Sequence, residues 1–138
     1  MKIYLKLIIS VIAVGFIFLM GNSFLVAGTT NETIQITEAH NYPNPFDNEK
    51  EVTHIKFKIQ SDVTNTSANI SVIIYNFNGK KVWSKRVLQG EITPNEVFDV
   101  IWGGENDMGD KVSNGLYFCK IIVEANNTVY KIIKILVK

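Results

Sequence analysis

One stretch constrains the fold of this chain more than any other. It reads Trp102-Gly-Gly-Glu-Asn-Asp-Met-Gly109-Asp-Lys-Val112-Ser-Asn-Gly115-Leu-Tyr117-Phe118. An aromatic closes one apolar run, a loop of Gly, Asn and Asp follows, and Gly115 opens a second run from Leu116 to Val123. Gly accepts positive φ, and Asn and Asp cap turns through their own side chains. The pattern is strand, long turn, strand.

The rest of the chain beyond residue 28 repeats that grammar. Short β-branched and aromatic runs alternate with turn residues, and no convincing amphipathic helix interrupts them. Ile34 to Ala39 is the first expected strand. Pro43 and Pro45 cannot donate ladder hydrogen bonds, so their segment is expected at a rim or edge crossing. Val52 to Ile59 places Ile55, Phe57 and Ile59 on one face and His54, Lys56 and Lys58 on the other, a half-buried strand. Ser61 to Asn69 reads as a polar loop. Ile70 to Tyr75, almost wholly apolar, predicts a central strand covered on both sides. Asn78-Gly79 predicts a hairpin turn, since both residue types tolerate positive φ. Lys81 to Leu88 returns, and Gln89 to Asn95 reads as a loop. Val97 to Trp102 is the next strand. Leu116 to Ala125 and Val129 to Val137 form a last hairpin around Asn126-Asn127. About seven antiparallel strands and some 110 residues match one immunoglobulin-like β-sandwich, an all-β fold.

Residues 1 to 28 read as a targeting segment. Lys2 and Lys6 precede an apolar stretch from Leu7 to Met20, and Val26-Ala27-Gly28 offers small residues for cleavage after Ala27 or Gly28. Extended to Val26, the same stretch approaches bilayer-spanning length, so an uncleaved anchor is the alternative. Any membrane contact is expected only through this segment. The folded domain is assigned to residues 29 to 138, and the product is expected in the periplasm, at the cell surface or outside the cell.

Charge argues against a nucleic-acid partner. Lys2 and Lys6 account for two of the chain's 14 Lys and Arg, leaving 12 against 13 Asp and Glu in the domain. No basic stripe follows from that balance. The end differs: Lys131, Lys134 and Lys138 stand with no acid beside them. Spaced Lys on a terminal strand suit a solvated face or a protected edge, and alternatively a basic docking tail. Cys119 is the single cysteine, so no internal disulfide forms, and burial as a small hydrophobe is expected.

The residues offer little catalytic chemistry. His40 and His54 are the only histidines, and no spaced ligand set accompanies them. Nothing places two carboxylates as an acid/base pair, and no nucleophile elbow or phosphate-cradling loop appears. A non-enzyme without a cofactor is expected. Glu105, Asn106, Asp107 and Asp110 cluster in the long loop. Asn106, Asp107 and Asp110 are the residues a calcium ion would use, although their spacing does not match an EF-hand and turn capping explains them without a metal. Trp83, Trp102, Tyr42, Phe46 and Tyr130 could form a sugar-stacking platform. Of these, Trp102 and Phe46 are expected in the core, and Trp83 is the better candidate for exposure.

Three motifs together carry a resemblance. They are Tyr42-Pro43-Asn44-Pro45-Phe46, then Ile74-Tyr75-Asn76-Phe77-Asn78-Gly79-Lys80, then the Trp102 stretch with Gly104, Asn106, Gly109, Val112, Gly115, Tyr117 and Phe118. About residues 36 to 138 resemble the Ig-like domain of the flagellar hook-cap (FlgD-like) type, related to the C-terminal sorting domains of type IX secretion substrates. One departure is Gly103, where that family carries Asp after the Trp. The run Gly115 to Cys119 also echoes an immunoglobulin F-strand, so Tyr117 could form a tyrosine corner.

The resemblance implies a non-catalytic exported module acting in secretion, sorting or surface assembly, with a protein partner in the secretion machinery or at the surface. Its terminal strand, with Val129, Tyr130, Lys131, Lys134 and Lys138, would be offered to that partner, whose sheet it could extend. The alternative is an adhesion or ligand-binding sandwich using the loop from Gly103 to Asn114. A hook-cap role conflicts with the targeting segment, because flagellar parts leave by their own channel. A targeting segment that runs almost directly into the module fits either a remnant of a longer gene or a stand-alone structural subunit.

Overall fold

A computed structural model describes residues 33–62 and 64–138. The expected targeting segment lies outside the described residues. Seven strands follow in order: β1 (Ile34–Tyr42), β2 (Thr53–Ser61), β3 (Thr66–Asn76), β4 (Lys81–Ile92), β5 (Glu96–Trp102), β6 (Gly115–Glu124) and β7 (Thr128–Val137). They form a three-stranded sheet in the order β1-β2-β5 and a four-stranded sheet in the order β4-β3-β6-β7. All ladders are antiparallel. The expected all-β sandwich is present.

Alternation builds the core. Ile55, Phe57 and Ile59 of β2 face Ile70, Val72 and Ile74 of β3 and Cys119, Ile121 and Val123 of β6 across the interior, all essentially inaccessible. Each large aliphatic side chain removed from water contributes about 1.5–3 kcal/mol. At one end of this core Trp102 holds two aromatic partners edge-on: Phe46 at 5.6 Å and Tyr117 at 5.7 Å between ring centroids. These come from two of the three sequence motifs, so the motifs meet in one cluster.

Several local expectations change. Thr66 to Asn69 is strand, not loop: Thr66 and Ala68 point inward while Ser67 and Asn69 face solvent. A half-buried strand can look polar when its inward residues are small. Gln89 to Ile92 likewise extends β4, leaving a short loop before Glu96. β4 is an edge strand, where Gly90 and charged residues are tolerated because one side of the ladder is free. In the Asn78-Gly79 turn only Gly79 adopts positive φ, at 77°. Asn76 organises that turn, its side-chain oxygen accepting the amides of Asn78 (3.0 Å) and Lys80 (2.9 Å). Trp83 sits opposite Ile74 and shares its inward face, so it is half-buried against the core rather than exposed. Finally, β3 is central but covered fully on one face only; Ser71, Ile73 and Tyr75 on the other are partly open.

Candidate functional site

The terminal strand β7 forms one edge of the four-stranded sheet. Its residues divide by parity. Val129, Lys131, Ile133, Ile135 and Val137 face the interior, whereas Tyr130, Ile132, Lys134 and Leu136 face out. Lys131 therefore does not join Lys134 in a basic face. Its ammonium reaches β1 across the open side of the sandwich and donates to the carbonyl oxygens of Thr37 (3.1 Å) and Ile36 (3.5 Å). The interior there is apolar, and the long stem lets the charge escape to the rim. The expected basic tail thus splits: Lys131 closes the sandwich, while Lys134 and Lys138 remain exposed.

The Tyr42-to-Phe46 segment caps the last third of this edge. The Tyr42–Pro43 and Asn44–Pro45 peptides are both cis, and the chain crosses here from β1 to β7. The Asn44 side chain then acts like a neighbouring strand. Its oxygen accepts the Leu136 amide at 2.9 Å and its NH2 donates to the Lys134 carbonyl at 3.0 Å. Phe46 continues the pairing: its amide donates to the Leu136 carbonyl and its own carbonyl accepts from Lys138, both at 3.0 Å. The carbonyl of Pro43 is held by the Thr53 hydroxyl at 2.8 Å. The sequence indicated an edge crossing here. It carried no sign of which edge is crossed.

Residues 134 and 136 point their backbone groups away from β6. The ladder with β6 runs without a register shift, so Tyr130 and Ile132 do the same, on a side where no described strand pairs with β7. The open part of the edge is therefore its first half.

The long loop is held by its own side chains. Asn106 accepts the amides of Met108 (2.9 Å) and Asp110 (3.0 Å), and its NH2 lies 3.3 Å from the Asp110 carboxylate. Asp107 turns the other way. It accepts the Ser84 amide at 2.8 Å and pairs with Lys81 at 3.0 Å, tying the loop to β4. The hydrogen bond from Lys81, helped by the Ser84 amide, holds this carboxyl below the usual carboxylate range. Of the three calcium candidates, the fold brings Asn106 and Asp110 together and separates Asp107. Among the described residues no group of three His, Cys, Asp or Glu side chains converges.

The loop's base explains the Gly-rich sequence. The Trp102 indole donates to the Glu105 carbonyl at 2.9 Å. Gly104 has φ of 77°, and a Cβ there would sit 2.5 Å from that of buried Asn48. Asn48 in turn donates to the Val112 carbonyl at 2.9 Å, and the Lys111 ammonium donates to the Asn48 carbonyl. At Gly103 the space a side chain would occupy is taken by the flexible Glu105 carboxylate. Gly109, with φ of 92°, simply turns the chain, and Gly115 opens β6 opposite Val137. The Tyr117 hydroxyl donates to the Ser113 carbonyl at 2.7 Å, the expected tyrosine corner. Burial pushes its phenol up. Burial also pushes the Cys119 thiol up, to about 12.

The remaining candidates scatter. Phe46 and Trp102 are in the core. Tyr42 lies on the outer face of the three-stranded sheet and Tyr130 on that of the four-stranded sheet, so the expected aromatics form no single platform. His54 pairs with Asp99 at 3.0 Å on the first of these faces, and His40 is solvent-exposed nearby.

Comparisons with known proteins agree with this architecture. The chain is similar to dimeric latent PorU from Porphyromonas gingivalis, with 23% identity and a TM-score of 0.58 over 80% of this chain and 10% of that one. FLGD from P. aeruginosa is 16% identical with a TM-score of 0.50, covering 77% of this chain and 71% of that one. The C-terminal domain of wzt is 12% identical with a TM-score of 0.55, covering 79% of each. At such identities the likeness is one of fold, and the chain spans about a tenth of PorU's length. No curated protein matches it. The sequence profile of the secretion system C-terminal sorting domain matches residues 40–135, from the tail of β1 through most of β7. The chain belongs to the secretion system C-terminal sorting domain family.

Proposed function

We propose that this protein is a non-catalytic exported module whose folded sandwich is read by a type IX secretion machinery through the open half of β7. Family membership supports a role in secretion and sorting. The observation that carries the finer reading is the half-capped edge. Asn44 and Phe46 occupy the backbone groups of Lys134 to Lys138, while Tyr130 and Ile132 offer theirs on a side where no described strand pairs with β7. An edge of this kind accepts one added strand from a partner, whose main chain supplies the affinity.

Proline tests this directly. A reporter inserted after residue 30 of the full chain is expressed in a type IX-competent bacterium, and surface reporter is measured. Ile132→Pro removes an outward N–H while sparing the bonds to β6. Ile132→Thr loses the same apolar side chain and keeps the N–H. Surface reporter lost in the proline variant and better retained in the threonine variant supports strand addition, provided both fold by circular dichroism. Equal display in the two refutes it, and a reporter held in the periplasm even with the unmodified module refutes the sorting role.

A further inference from the structure

The two outer faces of the sandwich differ in how their charged side chains are partnered. On the three-stranded sheet, the carboxylates lie beside basic side chains. Asp99 meets His54 at 3.0 Å and Lys56 at 3.6 Å, and Lys58 meets Glu38 at 3.9 Å. Exposed Tyr42, Val97 and Ile101 stand among these pairs on the same face. On the four-stranded sheet the outward rows carry apolar pairs as well. Phe118 of β6 lies beside Tyr75 of β3, Ile122 beside Tyr130 of β7, and Leu116 beside Leu136. Tyr130, Ile132 and Leu136 are exposed to 62%, 53% and 43%. Contiguous exposed apolar area of this sort marks a binding surface more often than scattered single residues do.

The charges in the middle of this face and towards Lys134 are cations, and the acids Glu91 and Glu124 stand at its opposite end. Arg86 of β4, Lys120 of β6 and Lys134 of β7 rise from the same rows, and among the described residues none of them pairs with a carboxylate. Lys120 stands in the middle. It lies in one row between Ile73 and Ile132, with its ammonium 4.5 Å from the centre of the Tyr130 ring. The nearest acid on the outward rows is Glu124, at the far end of the ladder.

We infer that the outer face of the β4-β3-β6-β7 sheet docks a partner protein presenting an apolar surface studded with carboxylates. Complementary charge selects that occupant. A second copy laid face to face about a two-fold axis would bring Lys120, in the middle of the face, against its own counterpart, which is repulsive. An anionic lipid surface would meet the cations, but seating Ile73 and Ile132 in the acyl region would drag the ammonium of Lys120 between them. A protein can place one carboxylate over Lys120 and apolar side chains around it. This surface deepens the export reading, on which the choice of a secretion component as partner rests. It lies on the face of the sheet, whereas the strand-addition site lies on its edge.

The test uses the full chain, with the same reporter, in the same bacterium. A photoreactive benzoylphenylalanine is placed at position 122 on this face, or at position 97 on the opposite face. The expected result is one discrete adduct from position 122, lost at least tenfold in Lys120→Glu and absent from position 97. Mass spectrometry should map it to a different chain at a segment containing Asp or Glu. Lys120→Glu should also reduce surface reporter, with unchanged thermal unfolding. An adduct of twice the chain's mass, or co-flotation of the purified chain with phosphatidylglycerol vesicles that Lys120→Glu abolishes, would overturn the assignment in favour of self-association or lipid. So would equal adducts from both faces, or none from position 122. If the charge-dependent adduct forms while the reporter never reaches the surface, the docking face stands and the export reading falls. If the reporter is displayed whatever the residue at 120, the reverse holds.

Discussion

Asn44 and Leu136 are 92 residues apart in sequence, yet the Asn44 side chain accepts the Leu136 amide proton at 2.9 Å and closes the end of the sandwich. A side-chain amide has the same donor and acceptor as a peptide unit. Here it occupies the place of a missing strand residue, and the terminal edge is capped without an eighth strand.

Asn44→Ala should therefore cost about 1 kcal/mol, the net worth of partly exposed hydrogen bonds. Amide exchange should rise at Leu136 and change little at Val123 in the core. Asn44→Asp keeps the acceptor for Leu136 but sets a carboxylate oxygen against the Lys134 carbonyl, so it should protect the Leu136 amide without restoring the stability. Hydrogen exchange by NMR reads both, and an unchanged Leu136 rate in Asn44→Ala would show that the cap contributes nothing.

Two glycines of the long loop should respond differently to alanine. At Gly109 nothing stands within 4 Å of a new Cβ, so only the left-handed backbone penalty applies, about 1–2 kcal/mol. At Gly104 the same penalty adds to a Cβ contact of 2.5 Å with buried Asn48, for a loss of about 3 kcal/mol or more. Urea denaturation of the two variants should keep that order.

Cys119 gives a pH dependence. In the unfolded chain its thiol ionises near the ordinary value of 9.0, and burial raises it to about 12 in the fold. The folded state therefore holds a proton that the unfolded state has released. This contribution is fully present below pH 9 and is lost as pH rises toward 12. Its slope is at most about 1.4 kcal/mol per pH unit. Tyr117 acts in the same sense, starting from its ordinary value of 10.0. Comparing Cys119→Ala with the parent between pH 9 and 10 isolates the thiol: the variant should lose the steeper part of the decline. Native protein should also resist thiol reagents at neutral pH.

Thr66 holds a buried hydroxyl with no hydrogen-bond partner among the described residues. Valine has the same shape without the oxygen. Thr66→Val should raise stability by about 1 kcal/mol, since an unsatisfied buried hydroxyl costs that much or more. Thermal unfolding that shows a loss instead would mean the hydroxyl is solvated in the native protein.

The sequence alone determined the strands and turns to within a few residues at most ends, and it placed Phe46, Trp102 and Cys119 inside. Such features are local. Period-two alternation records which side of a strand meets the core, and Gly, Asn and Pro record where the backbone must turn. It misplaced the start of β3 and the end of β4, where small or polar residues hide the alternation. Only the tertiary structure decided the rest: that Asn44 caps β7, that Lys131 and Lys134 point to opposite faces, that Asn106 and Asp110 meet while Asp107 joins Lys81, and that Arg86, Lys120 and Lys134 share one outer face. Each depends on which strands become neighbours. That choice is made by the packing of the whole chain, and no local pattern of residues encodes it.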